Sequence, residues 1–263
     1  MSGTQLEVRD ISKTFVLGGG KTLQAVDGVS FGVDQNSICV LLGPSGCGKS
    51  TVLRMMAGLE TPTSGAVAIG GKVVTGPGQD RGMVFQAYTS FDWLSVRKNV
   101  EFGMKVNGVD AETRRERADH FLGLVGLSKF ADAYPSQLSG GMRQRVAIAR
   151  TLANDPEVLL MNEPFGALDA ETRWLMQELM IDVAEKTNTT MVIVTHDLEE
   201  AIFLADKIIF LSSHPGRLKE EIIPAFTGGK RIGDKEQIIR MDGYSELEEK
   251  LMRLMREEGH RKT

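Results

Sequence analysis

The chain has few cysteines, no long apolar run and no excess of positive charge, and each shortage removes a class of protein. Only two cysteines, Cys39 and Cys47, occur in 263 residues. They flank and enter a glycine-rich loop, where a disulfide would obstruct the backbone, so reduced thiols of a cytoplasmic protein are expected. The longest apolar runs, at residues 38–42, 158–161 and 191–194, span a few residues against the ~20 needed to cross a bilayer. No direct membrane span is expected, and any membrane connection must run through a partner. The first residues, Met-Ser-Gly-Thr-Gln-Leu-Glu-Val-Arg-Asp, mix charged and apolar positions and do not read as a signal peptide. Positive charge is not in excess either: the net charge is −4 and no block of Lys and Arg stands out, so no nucleic-acid partner is expected.

What is present is enough apolar residue, 41%, to bury a full core, with 25% charged residues to cover it. Residues 6–33 alternate and are β-rich around the turn Gly18-Gly19-Gly20, which predicts an antiparallel flap. Residues 38–42 form a continuous apolar run before a glycine-rich loop, and residues 50–59 read as a helix ending near Gly58. Further buried strands are expected at 82–85, 158–161, 191–195 and 208–212. Separated by helical segments, they predict a mostly parallel sheet covered on both faces. Between 87 and 137 the strand signal gives way to charged helical segments at 96–104 and 111–125. Residues 245–258 place Leu247, Leu251, Leu254 and Met255 on one stripe of an amphipathic helix, expected to dock rather than to form a domain. The organisation expected is a core at 1–86 and 138–223, a helical subdomain at 87–137 and a short helical extension at 224–263.

Gly43-Pro44-Ser45-Gly46-Cys47-Gly48-Lys49-Ser50-Thr51 has the spacing G-x-x-x-x-G-K-[ST] between a strand and a helix. Glycines let backbone N–H groups approach phosphates, Lys49 neutralises β and γ oxygens, and the Ser50 hydroxyl reaches Mg²⁺. ATP with Mg²⁺ is the ligand expected, since the Asn-Lys-x-Asp motif that specifies guanine does not occur. A second glycine-rich element, Ser139-Gly140-Gly141-Met142-Arg143-Gln144, opens a helical run and could bind an anion at a helix N-terminus or be an ordinary capped helix. The segment Val158-Leu159-Leu160-Met161-Asn162-Glu163-Pro164 is a buried strand that delivers two polar residues at its carboxyl end, where α/β sheets place ligand contacts. Glu163 there suits a carboxylate that polarises an attacking water.

Together these elements resemble the ATP-binding cassette (ABC) ATPases, over about residues 5 to 215. The resemblance implies a RecA-like P-loop NTPase fold: an α/β, mostly parallel sheet with an N-terminal antiparallel β subdomain and an inserted helical subdomain. Phe15 sits where the family stacks an aromatic on adenine, though it could equally be core. Gln86 matches the residue that senses γ-phosphate and magnesium, Asp169 in Ala167-Leu168-Asp169 matches the D-loop, and His196 matches the switch histidine. Ser139, Gly140, Gly141 and Gln144 match the signature, so two copies are expected to face each other with ATP between Lys49 of one and Ser139 of the other. Asn162 departs from the family, which has Asp there to help hold magnesium together with Ser50 and Gln86. An amide oxygen can still bind a hard cation but carries no charge, so weakened hydrolysis is expected.

Residues 76–96 resemble more narrowly the ATPase subunits of bacterial importers for nitrate, sulfonates such as taurine, and bicarbonate. That implies a transmembrane permease and a solute-binding protein as partners, with this chain peripheral on the inner face of the cell membrane. Tyr88, Phe91 and Trp93 then read either as contacts for the permease or as a local mini-core. Two further readings stay open: a soluble ABC ATPase acting on DNA or ribosomes, and a nucleotide-binding regulator with little turnover.

Overall fold

The apolar run at residues 38–42 is buried at every position because both faces of its strand are covered. In the computed structural model, which describes residues 3–86 and 89–260, its side chains divide by parity. Ile38, Val40 and Leu42 enter one core, whereas Cys39 and Leu41 enter another on the opposite face. That double burial explains why these strands read as continuous hydrophobic runs rather than alternating ones.

The chain opens with β1 (Thr4–Val16) and β2 (Thr22–Asp34), followed by β3 (Ile38–Leu42), α1 (Lys49–Met56), β4 (Ser64–Ile69), β5 (Lys72–Val73) and β6 (Arg81–Val84). Three helices come next: α2 (Val96–Val106), α3 (Ala111–Leu124) and α4 (Gly140–Leu152). The remaining elements are β7 (Val158–Asn162), α5 (Ala170–Thr187), β8 (Thr190–Val194), α6 (Leu198–Leu204), β9 (Lys207–Leu211), β10 (Leu218–Ile222), α7 (Lys235–Ile239) and α8 (Tyr244–His260).

Six strands form the central sheet in the order β10-β9-β3-β8-β7-β6, parallel except for β10 at the edge. Four strands, β2-β1-β4-β5, form the antiparallel flap. The flap and α1 cover one face of the central sheet, and their apolar side chains, including Val52, Leu53 and Met56 of α1, join Cys39 and Leu41 in one core. Helices α2 to α6 and α8 contribute to the other core, on the face of Val40, Leu159 and Ile193. The topology places the carboxyl ends of β3, β7 and β8 side by side, and the glycine-rich loop, Asn162-Glu163 and His196 all leave the sheet there.

Three departures from the sequence reading have clear causes. The first helix begins at Lys49 and ends at Met56, shorter than residues 50–59, because Gly58 takes a left-handed conformation and closes on the carbonyl of Gly76. Strands β4, β5 and β10 were not expected: β4 is specified by pairing with β1 far back in the chain, whereas β5 and β10 are short and fold back antiparallel onto β4 and β9 just before them. The stripe of the amphipathic helix is spent within the chain: Leu247, Leu251 and Leu254 are buried in the same core as α6, and Met255 packs beside them. Helix α4 also packs on α2 and α3, tying the helical layer to the edge strand β6.

Candidate nucleotide site

The loop between β3 and α1 turns through left-handed glycines at Gly46 and Gly48 and delivers Lys49 at the first position of α1. Lys49 is only 5% exposed. Its ammonium donates to the carbonyls of Gly43 (2.7 Å) and Pro44 (3.0 Å), so the charge is held over the loop by the loop's own oxygens. Cys47 packs beneath with its sulfur 3.8 Å from the same ammonium, and burial raises the pKa of its thiol. Cys39, one strand back, is fully buried and pushed up to about 12, so both cysteines are unreactive free thiols.

Beside the loop, the end of β7 presents two side chains in sequence. The Ser50 hydroxyl donates to the Asn162 side-chain oxygen at 2.9 Å. Glu163 follows with φ of 45°, a left-handed conformation that is strained for a non-glycine residue and is pinned by its N–H bonding the Val194 carbonyl at 2.9 Å. Its carboxylate is met from two sides. Gln86 donates to one oxygen at 3.3 Å, and the His196 Nδ1 stands 3.5 Å from the other. The His196 turn is itself fixed: the Thr195 hydroxyl donates to the buried Glu200 carboxylate at 2.6 Å and accepts the Asp197 N–H at 3.0 Å. Burial raises the pKa of Glu200.

A cleft of about 340 Å³ opens over the phosphate loop and Glu163. Phe15 of β1 and Leu23 and Ala25 of β2 supply its apolar side, while Ser45, Gly46, and residues 48–51 supply the polar side, with Glu163 and His214 also lining it. Phe15 is therefore partly exposed on the cleft rather than sealed in the core, with the Lys13 ammonium 5.1 Å from its ring. An aromatic face beside a phosphate-type loop suits a purine base.

The second glycine-rich element does not reach this cleft. Ser139 caps α4, its hydroxyl accepting the Met142 N–H at 3.3 Å, and Asp169 caps α5, accepting from Thr172 at 3.0 Å. These hydrogen bonds from Thr172 lower the pKa of Asp169. The two helix starts touch, since a Cβ at Gly141 would lie 2.4 Å from the Thr172 methyl. Ser139 and Asp169 are exposed and Gly140 is partly so, but none of them lines the cleft. Gln144 needs correction: it is 1% exposed, on the inward face of α4 with Gly141 and Ile148, and its amide nitrogen is buried with no partner among the described residues. Its side chain is not at the helix start, where Met142 stands in the third helical position.

A family described as ABC transporter matches residues 26–166. The chain belongs to the ABC transporter ATP-binding family. The cassette is 48% identical over 217 residues to the nitrate import ATP-binding protein NrtD of a Synechocystis strain, covering 82% of this chain and 81% of that one. It is 42% identical over 249 residues to the taurine import ATP-binding protein TauB of a Jannaschia strain, covering 95% and 93% respectively. Among solved structures, a dimeric post-hydrolysis ATP-binding cassette bound to ADP and phosphate superposes with a TM-score of 0.73 at 32% identity, covering 83% of this chain and 98% of that one. The cassette thus has the P-loop NTPase fold expected from its sequence and is an ATP-binding ATPase of the transport-coupled kind.

The cassette residues that sequence reasoning did not single out are Thr195, Glu200 and His214. The first two act through the backbone of the histidine turn, and His214 reaches the cleft from the loop after β9, the strand beside β3, so none of the three carries a local motif. Among the described residues no group of three or more His, Cys, Asp or Glu could hold a metal, and no helix is long and apolar enough to cross a membrane.

Proposed function

We propose that this cassette is the ATP-hydrolysing, energy-coupling subunit of a bacterial importer for nitrate, a sulfonate such as taurine, bicarbonate or a related small anion. The observation that carries the proposal is a cleft lined by Lys49, Ser50 and Glu163, with Gln86 and His196 both against the Glu163 carboxylate, that Ser139 and Asp169 do not line. Such a site is half of one, completed by the Ser139–Gly141 surface of a second copy. Closure of the pair would use nucleotide binding, and hydrolysis would release it.

Within each half, Phe15 offers a face to adenine, and the loop N–H groups with Lys49 bind the phosphates. Glu163 is the base toward the attacking water, oriented by Gln86, and His196 contacts the γ-phosphate end. Mg²⁺ fits a donor set of this kind: Ser50 Oγ and Asn162 Oδ1 are hard oxygens 2.9 Å apart with Gln86 nearby, and magnesium commonly takes few protein ligands, completing its shell with phosphate oxygens and water. When bound, it neutralises charge on the β- and γ-oxygens.

The permease would dock in a groove between β6 and α2, lined by Phe85, Phe91, Phe102 and Val106. Phe91 belongs to a small aromatic cluster, 4.5 Å from Phe102 and 5.3 Å from Trp93, with the Arg150 guanidinium 5.3 Å from its ring. Trp93 is 74% exposed and available to a partner, whereas Tyr88 lies outside the described residues. A solute-binding protein would deliver the anion on the other side of the membrane, leaving the cassette peripheral on the cytoplasmic face.

A second reading rests on Asn162: a nucleotide-binding regulator with little turnover. Uptake of labelled nitrate, taurine and bicarbonate in cells carrying the wild-type chain or Lys49→Ala separates the two. Loss of uptake of one anion in the variant identifies the cargo, and unchanged uptake of all three overturns the importer assignment.

A further inference from the structure

The loop after β9 is clamped from two directions. On one side Gly216 donates to the Ala25 carbonyl at 3.0 Å and accepts from Asp27 at 2.9 Å, while Arg217 pairs with the Asp27 carboxylate at 2.6 Å. A Cβ at Gly216 would lie 2.0 Å from the Cys47 carbonyl, so this loop rests directly on the phosphate loop. On the other side the Ser213 N–H and hydroxyl both donate to one oxygen of Glu258, at 2.7 and 2.8 Å. The other Glu258 oxygen takes the Lys219 ammonium at 2.7 Å. Glu258 is 0% exposed, although it lies near the end of α8, 45 residues from Ser213 in sequence. Between these two clamps His214 lines the nucleotide cleft, which Glu163 and the phosphate loop also line.

A buried carboxylate with its oxygens fully engaged is an expensive way to end a helix that is already anchored by Leu247, Leu251 and Leu254. Ser213 of the loop and Lys219 of β10 both donate to it, so it ties the end of α8 to the loop. We infer that His214 contacts the bound nucleotide, its imidazole donating to a ribose or phosphate oxygen, and that Glu258 is the positioning residue that holds it there. The docked state of α8 is thereby read out as nucleotide affinity. This rests on the assignment of the cleft to nucleotide.

The test is calorimetric titration of the full chain with the non-hydrolysable ATP analogue AMP-PNP, for wild type, His214→Ala, Glu258→Ala and the double variant. His214→Ala is expected to weaken binding about tenfold, the scale of one hydrogen bond to a charged partner. Glu258→Ala is expected to weaken it about threefold or more, and the double variant to bind as His214→Ala does, because the two act as one unit. Glu258→Gln keeps acceptors for Ser213 and is expected to stay within about twofold of wild type. If Glu258→Ala does not fold, Ser213→Ala, which removes one of the two hydrogen bonds, replaces it in the cycle. A merely structural Glu258 would lower the melting temperature and leave the dissociation constant unchanged. That result, an unchanged His214→Ala titration, or effects that multiply in the double variant would each overturn the proposal. Wild type that does not bind AMP-PNP would overturn the nucleotide cleft itself, a different failure.

Discussion

The Ser50 hydroxyl donates to the Asn162 amide oxygen at 2.9 Å, so the two hard oxygens beside the phosphate loop are neutral and face each other. Asn162→Asp would add a negative charge where magnesium is expected. The gain is about 1–3 kcal/mol once solvent screens it, or about tenfold to a hundredfold in metal affinity or turnover. Phosphate release measured across a magnesium titration checks this. Identical curves for the two proteins would remove Asn162 from the account.

Lys49 is buried, and among the described residues its ammonium bonds carbonyls of its own loop and, weakly, a sulfur, with no carboxylate to neutralise it. Lys49→Ala is expected to weaken ATP binding by at least about tenfold, as loss of a charge-assisted contact does. Fluorescence titration with a nucleotide analogue reads this directly.

Glu163→Gln keeps the size of the side chain and its neighbours Gln86 and His196, but replaces the acceptor carboxylate. Turnover is expected to fall about 10²–10⁴-fold while nucleotide affinity stays near wild type, which a single-turnover assay paired with equilibrium binding distinguishes.

Val106 is 70% exposed in the apolar groove beside Phe102. Val106→Asp places a charge in a surface that should be desolvated by a permease and is expected to abolish co-purification with it, with circular dichroism confirming the fold. Retained co-purification would move the permease contact elsewhere.

Burial pushes the Glu258 carboxyl up, but hydrogen bonds from Lys219 and Ser213 outweigh it and bring it down to about 2, against 4.5 when free. A carboxyl depressed on folding contributes stability above its unfolded value, and that contribution is lost as pH falls from about 4.5 toward 2. The melting-temperature gap between wild type and Glu258→Gln is therefore expected to be constant above about pH 5 and to shrink below it.

Strand-loop-helix order, the phosphate loop and the polar pair after β7 were legible because each is local. A continuous apolar run, a glycine spacing and a polar residue at a strand end are properties of short windows. Gln144 misled for the same reason: its spacing from Ser139 matched a motif, but the helical period turns it inward with Gly141 and Ile148. Strand β4 was missed because it depends on β1, far back in the chain, and β10 because its Leu-Lys-Glu-Glu-Ile sequence carries little apolar signal of its own. His214 and Glu258 were missed because the contact that joins their segments, Ser213 with Glu258, spans 45 residues and involves no repeated pattern.

The half-site is tested most directly by light scattering on the Glu163→Gln protein with and without ATP and magnesium. The expected result is a monomer that becomes a dimer on adding nucleotide, and Ser139→Arg, a change outside the chain's own cleft, should prevent the shift. A monomer of unchanged mass at high protein and ATP concentration would contradict the shared site.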